Sequence, residues 1–111
     1  MAGDDESAFH QRADALLGRL AAVAEDELAD QAEVEFAGGI LQVDFDDQTY
    51  IVNKHAPTRQ VWLSSPLSGA WHFAWDSGRS LWIDTRQGRE ILQLLAEEWS
   101  SASGTKISFD C

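Results

Sequence analysis

The chain has a single cysteine, Cys111, at its last position, so no disulfide can form within it, and no CxxC or Cys/His cluster is present to hold zinc. That usage fits a reducing compartment. Prolines number two, Pro57 and Pro66, and both read as loop markers. No apolar run reaches the length of a signal or membrane segment. Met1 to Glu6 carry three acids and no base, the opposite of a mitochondrial presequence. Gly-rich phosphate loops, HExxH and G-x-S-x-G are missing as well. His10, His55 and His72 stand far apart, with no cysteine or serine partner at a telling spacing. Nothing here composes a nucleophilic or acid/base constellation.

Positive charge is also scarce, and unevenly so. Eight lysines and arginines face nineteen aspartates and glutamates, for a net charge of −11. Residues 1 to 48 hold thirteen of the acids against Arg12 and Arg19 alone, while residues 49 to 111 are balanced at six of each sign. The whole excess therefore lies in the first half, which argues for an acidic face. Such a face repels nucleic acid and anionic lipid and attracts metal cations or a basic partner.

What is present is enough for a core. A chain of 111 residues, 44% hydrophobic with five tryptophans, is expected to be one domain spanning residues 1–111. Asp5 or Ser7 can cap a first helix, in which Phe9, Ala13, Leu16, Leu17, Leu20, Ala24 and Leu28 follow the 3.6-residue period. Glu27 would fall on the apolar side if that helix continued, so it is expected to loosen between Glu25 and Asp30. Alternation then predicts a hairpin of Glu33–Phe36 and Leu41–Asp46 around Gly38 and Gly39, followed by strands over 49–54, 59–64, 70–75 and 80–83. Asp84 and Gln87 have the form of a capping box for a second helix over 85–101, burying Gly88, Ile91, Leu92, Leu95 and Trp99. Ile107 and Phe109 read as a tail that completes the core. The strand connections are too short for parallel crossovers. The expected class is α+β: an antiparallel sheet of five to six strands with the N- and C-terminal helices packed on one face.

Two stretches carry functional promise. In Gln60–Ser64, Val61 and Leu63 point one way and Gln60, Trp62 and Ser64 the other. If the sheet is covered on one face, Trp62 stands on the open one, the composition of a docking surface; the competing reading is an ordinary core tryptophan. Glu25, Asp26, Glu27 and Asp30 near the end of helix one, with Glu33, Glu35 and Asp44 on the first strands, can form a ridge of oxygen donors suited to hard cations. Its competing reading is a solvated surface that keeps the protein soluble. With no histidine, cysteine or enclosing loop, such a ridge would bind weakly.

Asn53 and Lys54, Pro57, the run QVWLSSP at 60–66, Ser68 and Gly69, and the aromatic strand that follows resemble the central signature of the frataxin family, called CyaY in bacteria. The similarity runs more loosely over almost the whole chain. It implies an iron-binding accessory protein of iron–sulfur cluster assembly, with iron(II) or iron(III) held on the acidic ridge at the positions matching Asp26, Glu27, Asp30 and Glu33. The departures are Gln31, Ala21 and Ala22, where relatives often carry acids, which shortens the ridge. It further implies docking on a cysteine desulfurase and scaffold complex through Asn53, Lys54, Gln60 and Trp62, with His72 where many relatives have arginine. A weak ferroxidase and iron store is the alternative function. The expected state is a monomer with iron-driven oligomers, without nucleic-acid or membrane partners, in the bacterial cytoplasm or, processed, in the mitochondrial matrix.

Overall fold

Helix α1, Ala2–Glu27, opens the computed structural model, which describes residues 2–109. It starts before the caps expected at Asp5 or Ser7. Its apolar repeat lies on one face as the period requires: Phe9, Ala13, Leu16, Leu17, Leu20 and Ala24 are all buried, joined by Ala21 and by Leu28 in the turn that follows. The helix stops at Glu27, inside the stretch where Glu27 was expected to break it.

Six strands follow in one antiparallel meander, β1 (Ala32–Ala37), β2 (Ile40–Phe45), β3 (Thr49–His55), β4 (Gln60–Ser65), β5 (Gly69–Asp76) and β6 (Leu81–Asp84), neighbours in sequence being neighbours in the sheet. The β1–β2 turn is made by Gly38 and Gly39 at φ 62° and 78°, the double left-handed conformation of a tight hairpin. At Gly39 a side chain would also meet Lys54, whose Cε lies 2.9 Å from where a Cβ would stand. Helix α2, Ile91–Ser103, ends at Gly104 in the left-handed region.

Both helices cover one face of the sheet. Leu41, Val43, Tyr50, Val52, Val61, Leu63, Phe73 and Trp82 are buried there, in the same cluster as the apolar faces of α1 and α2. Ile107 and Phe109 are buried too, as expected of the tail, with Arg19 donating a hydrogen bond to the Phe109 carbonyl.

The start of α2 corrects the capping-box reading. Asp84 is buried and accepts from three backbone amides: His72 on β5 at 3.1 Å through one oxygen, Arg86 at 2.9 Å and Gln87 at 2.6 Å through the other. It closes a turn that Gly88 leaves at φ 73°, so no helix propagates and Gly88 is exposed. The cap in use is Glu90, which accepts from the amides of Leu92 and Gln93 at 2.7 and 2.9 Å. Leu94, which the sequence reading left out of the buried face, is buried beside Ile91, Leu95 and Trp99, while Leu92 is half-buried.

A polar network ties α2 to the sheet. Glu98 accepts from the Tyr50 hydroxyl at 3.0 Å, from Ser65 at 2.5 Å and from Ser68 at 2.5 Å, and Ser68 in turn accepts from the Trp71 indole at 2.8 Å. Burial first, and then the negative charge of Glu98, raise the ionisation of the Tyr50 phenol well above the ordinary phenol value. A pKa raised on folding stabilises the native state below the unfolded value of about 10 and loses that contribution as pH rises beyond it. Tyr50 is the only tyrosine, so phenolate absorbance reports on it alone. The native protein should show no phenolate signal near pH 11 until it unfolds. Tyr50→Phe should cost about 1 kcal/mol at neutral pH and reduce the loss of stability above about pH 10.

Candidate acidic edge and uncovered sheet face

On the face away from the helices, the strand register assembles one row from four strands: Ile40, Asn53, Trp62 and His72 lie directly opposite one another across β2 to β5. Beside it run Gln42, Ile51, Ser64 and Ala70. Ile40 and Ile51 are exposed, at 48% and 37%, so the open face carries apolar surface around the indole. Trp62 is half-buried, and what half-buries it is not the core. His55 stacks on one face of its ring at 3.8 Å and 14°, and His72 on the other at 4.5 Å and 19°. Its Nε1 donates to Gln60 Oε1 at 2.8 Å. With both ring faces covered, Trp62 offers an edge, flanked by two imidazoles. Val61 and Leu63, its neighbours in sequence, are buried under the helices.

His55 is the member that sequence reasoning missed. It stands two residues beyond Asn53 on the same face, and alternation alone would have placed it there. Its Nδ1 lies 2.8 Å from the Thr58 hydroxyl, which steadies the ring against the indole.

Lys54 does not share this face. Adjacent to Asn53 in an extended strand, it points to the helix side, where Nζ lies 2.7 Å from Asp14 Oδ1 and 3.1 Å from His10 Nδ1, both on α1. It pins the first helix to β3, and the expected grouping of Lys54 with Asn53, Gln60 and Trp62 is corrected accordingly. Asn53, Gln60, Trp62 and His72 are brought together.

The carboxylates fall along one edge of the molecule. Glu25, Asp26 and Glu27 are exposed in the last turn of α1, which contains no base. Three anions at the negative end of the helix dipole raise its energy, and a cation or basic partner there relieves it. Asp30 is exposed in the following turn, and Glu33 and Glu35 are exposed on the edge strand β1. Glu33 faces Asp44 across the β1–β2 ladder. Asp44 is already solvated by protein donors, the Thr49 hydroxyl and Gln42 Nε2. Asp30, Glu33 and Asp44 line one shallow depression, to which the structure adds Asp46. Ala21, a position where an acid was noted as missing, is buried at 3% and lies off the edge altogether.

Oxygen donors of this kind suit a hard cation. Yet among the described residues no three His, Cys, Asp or Glu side chains converge on a point where an ion could sit. A cation drawn to this edge would keep much of its water and be held by field more than by coordination. Among the described residues, no helix is long and apolar enough to cross a membrane.

Fold and surface together define a small α+β domain with one dry and one open sheet face and an acidic border. Known proteins share this fold. The model of the frataxin-like domain matches residues 3–105. The chain is 37% identical to the mitochondrial frataxin of Dictyostelium discoideum over 99 residues, covering 85% of this chain and 51% of that protein. It therefore spans about half the length of that curated relative. Among solved structures it is similar to the frataxin of Psychromonas ingrahamii, of the CyaY family, at 30% identity and a TM-score of 0.82, covering 96% of this chain and 98% of that one. It is also similar to a trimeric frataxin of the yeast Saccharomyces cerevisiae complexed with ferrous iron, at 32% identity and a TM-score of 0.73, covering 85% and 87%. The chain belongs to the frataxin family.

The surface geometry sets two stability predictions. Trp62→Ala removes two stacked pairs and one hydrogen bond but no core volume, and should cost about 1–2 kcal/mol. Phe73→Ala, at a fully buried position, should cost about 3–5 kcal/mol; denaturant titration of both reads the difference. Glu33→Gln should raise the melting temperature at low salt by relieving the cross-strand pair with Asp44, and the gain should shrink as salt screens it.

Proposed function

We propose that this chain is an iron-binding accessory protein of iron–sulfur cluster assembly, which docks on the cysteine desulfurase and scaffold complex and modulates sulfur transfer or supplies iron. Family membership supports an iron-related role in iron–sulfur cluster assembly. The observation that carries the docking part is the uncovered sheet face on which Asn53, Gln60, Trp62 and His72 stand together. An aromatic edge fixed between two imidazoles, with amide side chains beside it and Ile40 and Ile51 around it, loses little conformational entropy when a partner covers it. Iron is cargo in this reading. It is attracted to Glu25, Asp26, Glu27, Asp30, Glu33, Glu35 and Asp44; the ferrous complex of the yeast relative supports iron as the ion. The same negative edge steers a basic groove of the partner, which raises the encounter rate more than the final affinity. Lys54, engaged with α1, serves the fold and not the contact.

Backbone amide signals followed during an iron(II) titration test the cargo assignment: changes should concentrate in residues 25–35 and around Asp44, and a flat response there sinks it. Desulfurase turnover tests the docking. Trp62→Ala should abolish the effect of the protein on turnover while iron-induced amide changes persist, and an unchanged effect on turnover would remove the open face from the interface. Oxygen uptake by iron(II) that speeds up when the protein is added would favour the ferroxidase alternative.

A further inference from the structure

A second concave surface lies on the other side of the molecule, where α1 crosses the β5–β6 hairpin and the first turn of α2. It is a cavity of about 260 Å³ floored by Leu16, Trp75, Leu81, Trp82 and Leu92. Arg12 and Arg19 stand at its rim. They are the only bases in the first 48 residues of a chain with net charge −11, and both open on this one groove. Seven positions apart, they project from the same side of α1 about two turns, or about 10 Å, from each other.

Their donors are unequally used. Arg19 donates to the carbonyl of Phe109. Arg12 lays its guanidinium over the Trp75 ring at 5.1 Å, and among the described residues no carboxylate or carbonyl engages its N–H groups. A guanidinium drawn to a ring by cation–π attraction spends none of its N–H groups on that contact, which leaves them to fork onto a carboxylate. The acid in the groove, Glu90, has both oxygens on the amides of Leu92 and Gln93. Trp75 and Trp82 meet at 67° with centroids 5.5 Å apart, giving an aromatic corner in the floor.

We propose that this groove binds a small amphipathic carboxylate, its aromatic or short acyl body against Trp75, Trp82 and Leu92 and its anionic end on Arg12. The volume suits a body of about two fused rings and is too small for a drug-sized ligand. Charge complementarity selects an anion: the two arginines of an otherwise acidic first half both line this groove, and the groove's own acid, Glu90, is engaged by backbone amides. The site is independent of the docking face, because Trp75 and Trp82 lie on β5 and β6 while the docking residues lie on β3 to β5, and the groove opens against the helices.

The test uses 1-naphthaleneacetate and its neutral isostere 1-naphthaleneacetamide, titrated against the whole chain while the indole N–H signals of the five tryptophans are followed. The acetate should shift Trp75 and Trp82 saturably and leave Trp62 in place. The acetamide should bind at least about tenfold more weakly, since a charge-assisted pair is lost. Arg12→Gln, at an exposed position, should weaken the acetate by a similar factor, and Arg12→Lys should recover part of it. Equal affinity for acetate and acetamide, or an Arg12→Gln variant that binds as well as the parent, would overturn the proposal. So would shifts confined to Trp62. Trp75 shifts that depend on protein concentration without any probe would assign the groove to a second copy of the chain instead.

Discussion

Two helices and a short tail can dry one face of a six-stranded sheet, but not both, and nearly everything else about this molecule depends on that one-sided coverage. With a side-chain period of two, each strand must divide its residues between an oily side and a wet one. Val61 and Leu63 go under the helices, and Trp62 between them cannot follow. Asn53 and Lys54 are separated by the same rule: one joins the open row, the other reaches back to Asp14 and His10 and holds the helix that creates the asymmetry. A register slip of one residue would reverse all of these assignments at once. The Gly38–Gly39 turn and the Tyr50–Glu98–Ser65 network therefore matter to the surface as much as to the core.

The acids are placed where the fold pays least for them. Glu25, Asp26 and Glu27 sit at the solvent end of α1, and Glu33 and Glu35 lie on the edge strand, where an exposed charge also discourages edge-to-edge pairing. Placement at a border keeps the carboxylates hydrated but leaves them unneutralised, since the bases of the first half, Arg12 and Arg19, are on the far groove. The molecule thus has a dipolar layout, with a negative edge and a small cationic pocket separated by the helix that contributes to both.

Much of this was legible from residue order. The α1 repeat, the strand alternation, the outward Trp62 and the buried tail all follow from periods of 3.6 and 2, which act locally. What could not be read was set by contacts between distant residues. Asp84 and Gln87 look like a helix start because the pattern is right, but Asp84 is drawn to the His72 amide on β5 and Gly88 breaks the turn that follows, so Glu90, a residue not favoured at helix caps, does the capping. Lys54 was grouped with its sequence neighbours because the family signature is linear, whereas the sheet face is not. His55 and His72 stand far apart in the sequence; alternation puts His55 on the open face, but the register of β3 against β4 is what brings it onto the indole.

The absence of a convergent ion site among the described residues bears on how cargo and partner would coexist. A caged ion would be indifferent to a basic surface arriving nearby, since its ligands are already committed. Here, on the proposed reading, the same loosely arranged carboxylates attract both the cation and the partner's basic groove, so each arrival weakens the field the other depends on. Linkage makes that antagonism reciprocal: whatever factor docking removes from cation affinity, the cation removes from docking. On that reading, engagement of the partner would loosen the hold on the ion without any change of conformation, because the partner's charges replace the ion's. The open face would make this workable, since the Trp62 edge and its polar neighbours would offer the partner contacts that do not depend on the acidic border.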